Sequence, residues 1–412
     1  MAFKHTTVGE QSTFFNNLRN PVTRSYRKGG IYPYYGAAGI QDYVAEHLFD
    51  GKYILVGEDG TVLSNGEYPV VQIATGKFWV NNHAHVIRPL DMEDFDFLYY
   101  SLLGTRVINL VTGAVQPKLS MTNLKSLELL WPKNSKTRSA IGYTLNMLDA
   151  KIESNNQLSK TLEEIAQTIF KSWFIDFDPV KAKMAGQRPV GMDAATAALF
   201  PDSMEDSELG LIPKGWGANS LSEIMEISKL SVSPQKYQDT TFLHYSIPAF
   251  DAGAYPIKTS GSEILSNKFT LNKSAVLVSK LNPQTTRIWT VLEPLMSAVC
   301  STEFIVLVPK SESQLPFVDS AVRAPSFRDA FVSMATGSTG SRQRVRPEEI
   351  LQIDVALPTQ ALIVKFSEIQ MPILKKMQTA KEEIEALVQL RNVLLPRLIS
   401  GELQIPEEML AS

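Results

Sequence analysis

VTGAVQPKLS spans Val111 to Ser120, and ATGSTGSRQRVR spans Ala335 to Arg346. Place Thr112-Gly113 over Thr336-Gly337 and allow the second copy two further residues. Lys118 then meets Arg344, and Leu119 meets Val345. The register continues with Leu124 on Ile350, Leu127 on Ile353, Leu129 on Val355 and Pro132 on Pro358. LKSLELLWP and ILQIDVALP both alternate apolar and polar residues and stop at proline, the pattern of a half-buried strand. A match this long makes the chain a tandem repeat, and that decides the fold class.

Long helical stretches follow both prolines. From Thr137 to Phe174 there is no proline and only one glycine, Gly142. Ile141, Leu145, Leu148, Ile152, Leu158, Leu162, Ile165 and Ile169 recur at steps of three and four, apart from a break at Asn155-Asn156. Phe366, Ile369, Ile373, Met377, Ala380, Ile384, Leu387 and Leu394 repeat the rhythm. Each helix should span about 57 Å at 1.5 Å per residue. Helices that long with narrow apolar stripes need a partner, and two in one chain predict an antiparallel coiled coil. Its seam is assigned to Leu148, Ile152, Leu162, Ile165, Ile169, Ile373, Ile384, Leu387 and Leu394. Pro372 should kink the second helix or mark a later start. Asn155 and Asn156 either turn outward at a stutter or lock the register as a polar pair.

A segment rich in strand and turn signals precedes each helix. Tyr53–Val56, Val70–Ile73, Phe78–Val80 and Val86–Ile87 read as strands in the first, and Phe95–Leu110 as a helix. Ala275–Val278, Arg287–Val291 and Phe304–Val308 read as strands in the second. Residues 178–212 carry Pro179, Pro189 and Pro201 among small and polar residues, the composition of a linker or loosely packed crossover. The predicted fold class is α+β: two mixed α/β globules separated by two long antiparallel helices, related by a pseudo-twofold repeat. The helices are alike and the globules diverged, as if the helices do one job twice while the globules bind different things.

The single cysteine, Cys300, excludes an intrachain disulfide and a cysteine metal cluster. The first residues, MAFKHTTVGEQ, have no apolar signal core. No apolar run reaches the roughly 18 residues of a membrane span. A cytoplasmic, non-membrane protein is expected. The net charge of −3 argues weakly against nucleic acid, but it averages over faces. Acidic residues gather on the helices (Glu153, Glu163, Glu164, Glu382, Glu383, Glu385), and basic ones in the globules.

No phosphate-loop pattern GxxxxGK[ST] and no GxGxxG fingerprint occurs. Asn82-His83-Ala84-His85 offers two histidines on one face of an extended segment, without an evident third metal ligand. Gly57-Glu58-Asp59-Gly60 offers two carboxylates, and reads first as a glycine-closed turn. Tyr32, Tyr34 and Tyr35 lie in a glycine-bounded loop behind Arg24, Arg27 and Lys28. They are either a core edge or an interface. The repeated loops have the best binding chemistry. Their small residues can expose backbone N–H groups. Arginine pairs bidentately with guanine or phosphate, and glutamine with adenine. No metal site is assigned.

Six stretches together resemble the specificity subunit of type I restriction–modification systems: IYPYYGAAGIQDY (31–43), YILVGEDG (53–60), TG…QPKLS (112–120), IAQTIFKSWFIDFDPVKAK (165–183), LIPKGW (211–216) and LRNVLLPRLISGEL (390–403). The resemblance covers nearly the whole chain. It implies target recognition domains over 1–134 and 213–358. Long helices over 135–176 and 359–403 set their spacing; 177–212 is a crossover and 404–412 a tail. It implies a non-catalytic chain that binds double-stranded DNA with two modification (methyltransferase) subunits, and with restriction subunits beyond them. S-adenosylmethionine, ATP and magnesium would belong to those partners, with no cofactor on this chain. DNA contacts are then expected from Arg24, Arg27, Lys28, Tyr34, Tyr35, Thr112, Gly113, Gln116, Lys118 and Ser120 in the first domain. In the second they are expected from Lys280, Arg287, Thr336, Gly337, Arg342, Gln343, Arg344 and Arg346. One departure stands out. The second globule opens with IPKGWGANSLSEIMEIS, whereas MAFKHTTVGEQSTFFNNLRN lacks that form, so the first domain's edge is expected to be shortened or altered.

Two other classes compete. A fused amino-methyltransferase should carry [ND]PP[YF]; Asn282-Pro283-Gln284 is the nearest stretch and fails. A coiled-coil scaffold for proteins or glycans would show no sequence-selective DNA footprint.

Overall fold

The computed structural model describes residues 2–27, 29–113, 115–336 and 343–406. The chain divides into two compact units, Met1–Ser154 with Ala386–Ser412, and Asn155–Glu385.

The first unit runs β1 (Phe3–Thr7), α1 (Val8–Gln11), β2 (Ser12–Phe14), β3 (Tyr32–Gly36), β4 (Gly39–Val44), β5 (Phe49–Asp50), β6 (Tyr53–Gly57), β7 (Leu63–Ser64), β8 (Tyr68–Pro69), β9 (Val71–Ala74), β10 (Lys77–Val80), β11 (Ala84–Pro89), α2 (Phe95–Gly104), α3 (Met121–Lys125) and β12 (Glu128–Pro132). The long helix α4 (Ser135–Phe174) then crosses from the first unit into the second. The main sheet is ordered β2-β11-β6-β9, and the other β4-β3-β10-β5. β3 and β10 are parallel. β6 is buried at every residue, as its unbroken apolar run requires of a central strand.

The second unit continues with α5 (Asp178–Met184), α6 (Ala194–Ala198), β13 (Met204–Ser207), β14 (Gly210–Pro213), β15 (Gly217–Ser220), β16 (Met225–Ser228), β17 (Ser231–Val232), β18 (Thr241–Tyr245), α7 (Ile247–Asp251), β19 (Ile257–Ser260), β20 (Lys268–Thr270), β21 (Ala275–Ser279), β22 (Ile288–Val291), β23 (Ala298–Cys300), β24 (Phe304–Pro309), α8 (Leu315–Arg323), α9 (Pro325–Ser333), α10 (Pro347–Ile350), β25 (Asp354–Leu357) and α11 (Gln360–Ile399). Its main sheet, β16-β24-β21-β22, repeats the order of the first. β19-β18-β23-β20 repeats β4-β3-β10-β5, with β17 added, and the parallel pairing recurs between β18 and β23. The globules diverged in sequence but kept one topology.

The first unit's edge is neither shortened nor altered. β1 pairs antiparallel with β12 as β15 pairs with β25, and β2 joins β11 as β16 joins β24. A capping box fixes the turn between β1 and β2: the Glu10 amide donates to Thr7 Oγ1 at 3.3 Å, and the Thr7 amide to Glu10 Oε2 at 3.1 Å. The segments LKSLELLWP and ILQIDVALP are strand only in their second halves. α3 ends two residues into the first stretch and α10 at the first residue of the second, and the chain turns before it joins the edge.

α4 and α11 each have 40 residues. α11 starts at Gln360 and passes through Pro372, which is exposed, so Pro372 does not mark a later start. Within the second unit the helices run antiparallel. The Phe366 ring lies 5.8 Å from Phe170 and 5.0 Å from Phe174, and Gln370 Nε2 donates to the Ala166 carbonyl at 3.4 Å. Such ring pairs contribute about 0.5–1.5 kcal/mol each beyond their burial. Ile384 is buried, while Leu162, Ile169 and Ile373 are half-buried. Ile165 is 44% exposed and is not in the seam. Ala166 takes the inward place and lets α11 approach closely. Asn155 is buried, and its Nδ2 donates to Glu383 Oε2 at 2.9 Å, whereas Asn156 is exposed. Only Asn156 therefore turns outward. In the first unit Leu148, Ile152, Leu387 and Leu394 are half-buried, and Arg391 Nη1 meets Asp149 Oδ1 at 2.7 Å. Gly142 has a steric reason: a Cβ there would lie 2.8 Å from the Phe97 amide of α2.

Residues 177–212 are largely exposed but anchored at a few points. Val180, Phe200 and Ile212 are buried in the second unit's main core, and the Trp173 ring stands edge-on to Phe200 at 5.1 Å. No helix among the described residues is long and apolar enough to cross a membrane.

Candidate nucleic-acid interface

The repeated Thr-Gly loops are built on one frame. In the first unit the amides of Thr112 and Lys118 donate to each other's carbonyls at 2.9 and 2.7 Å, and Thr112 Oγ1 reaches the Lys118 carbonyl at 3.3 Å. Gly113 has φ +89°, and a Cβ there would sit 2.4 Å from the Gln116 carbonyl, so the turn requires glycine. The base of the loop is tied to the turn after β6: the Leu119 amide donates to Glu58 at 2.8 Å and the Gly60 amide to Pro117 at 3.1 Å. The Glu58 amide donates to His83 at 2.8 Å.

The second unit repeats these bonds. Thr336 and Arg344 exchange amide–carbonyl bonds at 3.0 Å each, and Thr336 Oγ1 reaches the Arg344 carbonyl at 3.2 Å. The amides of Val345 and Asn282 donate to Lys280 at 3.2 Å and to Gln343 at 3.0 Å. The Lys280 amide donates to Glu303 at 3.0 Å. Lys118 thus corresponds to Arg344, Glu58 to Lys280, His83 to Glu303 and Gly60 to Asn282. The last two share a left-handed backbone, φ +74° and +52°, which asparagine tolerates better than most residues.

His85 holds the first loop from beneath. It is fully buried; its Nε2 lies 2.8 Å from the Leu119 carbonyl and its Nδ1 2.8 Å from Asn16 Nδ2. A carbonyl can only accept, so Nε2 carries the proton and Nδ1 accepts. Burial holds its pKa below the usual histidine value and keeps it neutral.

Each loop's closing cation has a carboxylate partner. Lys118 Nζ lies 3.5 Å from Glu58 Oε1, while Glu58 Oε2 lies 2.6 Å from Arg19 Nη1 and 3.4 Å from His85 Nδ1. Arg344 grips Glu303 with Nε at 3.1 Å and Nη2 at 3.2 Å. The carboxylate comes from different places in the shared frame. The first unit has Glu, His, Lys where the second has Lys, Glu, Arg. His83 pairs with Asp59, so the two motifs that looked separate in sequence form one cluster. No group of histidine, cysteine and carboxylates among the described residues is placed to hold a metal.

The loop residues Thr112, Gly113, Gln116, Lys118, Thr336, Arg344 and Arg346 are exposed, as is Arg24. Gln343, Lys280 and Tyr35 are half-buried. Lys28, Gly337 and Arg342 lie outside the described residues. Four residues expected to meet DNA have internal roles in the structure. Tyr34 is fully buried; its hydroxyl accepts from the Val22 amide at 3.0 Å, so it belongs to the core edge. Arg27 lies 4.3 Å over the Tyr34 ring and donates from Nε to the Val22 carbonyl at 2.7 Å. Ser120 caps α3, accepting from the Asn123 amide at 3.1 Å. Arg287 is gripped by Asp251, at 2.7 Å from Nε and 2.9 Å from Nη2. Sequence reasoning missed Arg19 and Glu303, which carry no motif of their own. Superposing the two repeats through Glu58 and His83 was the available signal.

The family model described as Type I restriction modification DNA specificity domain matches residues 6–164. The Type I restriction enzyme HindI specificity subunit of Haemophilus influenzae is 24% identical over 408 residues, covering 86% of this chain and 84% of its own. The MjaIX specificity subunit of Methanocaldococcus jannaschii is 24% identical over 368 residues, covering 84% and 78%. The crystal structure of a type I restriction–modification S subunit from M. genitalium aligns with a TM-score of 0.60 at 16% identity, over 97% of this chain and 96% of that one, which shows a shared fold. Motifs, family model, relatives and fold point the same way: this chain is similar to the specificity subunits of type I restriction–modification systems.

Proposed function

We propose that the chain is the non-catalytic specificity subunit of a type I restriction–modification complex, each unit reading one part of a split double-stranded DNA target. One observation carries this reading: the same backbone frame is built twice and presents two different loops, one with Gln116 and Lys118, the other with Gln343 and Arg344. One topology with two unlike tips suits two unlike half-sites. Backbone groups at the loops' bases, with Lys118 in the first unit, position the protein on phosphates, and other side chains of the loops meet base edges.

The long helices set the spacing of the half-sites and dock two modification subunits, with restriction subunits beyond. Tyr143, Met147, Leu390 and Val393, 46–60% exposed on the first unit's helices, and Ile165 on the second's, supply apolar docking surface. S-adenosylmethionine, ATP and magnesium belong to those partners, and the complex works in the cytoplasm. Methylation mapping in cells expressing this chain with its modification subunit tests the proposal. A split motif with a fixed gap is expected, and methylation without sequence preference overturns the reading.

A further inference from the structure

The carboxylate facing each loop is the feature that DNA binding alone leaves unexplained. A negative charge beside a cation at a phosphate-rich surface weakens nonspecific attraction. Yet both units keep one there, and they draw it from different positions, Glu58 in one and Glu303 in the other. The geometry in the second unit is the more specific. Glu303 takes the Nε–Nη2 edge of Arg344 with both oxygens. A guanidinium has five donors in a rigid fork, so the Nη1 side remains for a second planar acceptor pair. Arg344 is half-exposed and follows the Thr336 loop directly. The lysine of the first unit offers only a point charge at 3.5 Å from its carboxylate. That arrangement suits a phosphate, whereas a fixed arginine fork suits the O6 and N7 of guanine in the major groove.

We propose that Arg344 reads a guanine in the second unit's half-site, and that Glu303 is its positioning residue, holding the fork at one angle. The inference rests on the DNA-reading function proposed above.

The test uses the full chain assembled with its modification subunit, and the duplex that methylation mapping identifies. Each guanine of the target is replaced in turn by 7-deazaguanine, which keeps base pairing and removes only the N7 acceptor. One replacement should weaken wild-type binding about ten-fold. The same replacement should cost Arg344→Lys and Glu303→Gln little, because their discrimination at that pair is already lost. A purely electrostatic Glu303 gives another result. Glu303→Gln would then bind every duplex more tightly, with the wild-type response to 7-deazaguanine unchanged, and the positioning role fails. If no guanine responds in the wild type, or if Arg344→Lys keeps the response, the guanine assignment fails while DNA recognition stands. If the wild-type complex does not prefer the mapped duplex, the underlying function itself fails.

Discussion

Single residues decide whether the loops hold their shape. Gly113→Ala puts a Cβ against the Gln116 carbonyl on a left-handed backbone and should cost about 1–2 kcal/mol, felt in the loop. Duplex affinity should fall several-fold, with a melting temperature close to wild type; unchanged affinity would remove the loop from the interface. His85 makes a different demand. His85→Ala strands the Leu119 carbonyl and the Asn16 amide, and should cost about 3 kcal/mol in denaturant titration. The buried histidines also set an acid limit. Burial, reinforced by Lys268, pushes His244 down to about 4, and His85 is lowered too. Above the ordinary value of 6.5 both are neutral, folded or unfolded, and their contribution is complete. As the pH falls below 6.5 the unfolded chain gains protons that the folded chain refuses, so stability should drop until about pH 4, where folded His244 also protonates. The His244 Nε2 has no partner, so His244→Phe strands nothing and should flatten part of that slope in urea midpoints measured from pH 8 to 4.5. At this scale the sequence was legible where residues repeat, as at Thr112 and Thr336, and poorly legible where a side chain's direction matters. Nothing in a tyrosine-rich loop says which ring turns inward, and the strand pairing of β3 turned Tyr34.

At the scale of elements, ion pairs tie globule to helix within each unit. Arg323 at the end of α8 reaches Glu163 on α4 at 2.7 Å and Asp319 at 2.9 Å, and the Asp319 side chain is only 4% exposed. Arg323→Ala leaves a buried carboxylate without its cation and should destabilise the chain by about 3 kcal/mol; the double variant with Asp319→Leu should recover part of the loss. A cost below 0.5 kcal/mol for the single change would place the anchorage elsewhere, since exposed pairs are worth about that much. Both long helices were legible because a stripe sustained over many turns outweighs any local breaker. Pro372 does not delay the start of α11, because an exposed proline costs a helix one hydrogen bond, not its neighbours' packing. Of the two readings open for Asn155, the inward one holds, because a polar residue can face inward when a partner such as Glu383 waits across the seam. The short α3 and α10 were hidden because they lie mostly upstream of the two matched stretches, whose apolar pattern drew the reading to strand.

For the whole molecule, the repeat was legible and the sheet order was not. Parallel pairing of β3 with β10 and of β18 with β23 joins residues far apart in sequence, and no local pattern announces it. If the helices set the spacing of the half-sites, a heptad inserted after Ser154 with another after Glu385 keeps the apolar face and lengthens each helix by about 10 Å. The gap in the methylated motif should then grow by about three base pairs at 3.4 Å each. An unchanged gap would show that something other than the helices sets it. The closing bonds of the two loops have a further consequence. They hold equally well around five intervening residues or seven, and involve only the backbone and the threonine hydroxyl. Gly113 apart, substitutions and short insertions between the closing residues therefore leave the folded core undisturbed. Such a chain can drift to a new target without passing through an unfolded ancestor, and two frames let one half change while the other keeps an old preference. A lineage under pressure from changing invaders could diversify this way at almost no cost in stability.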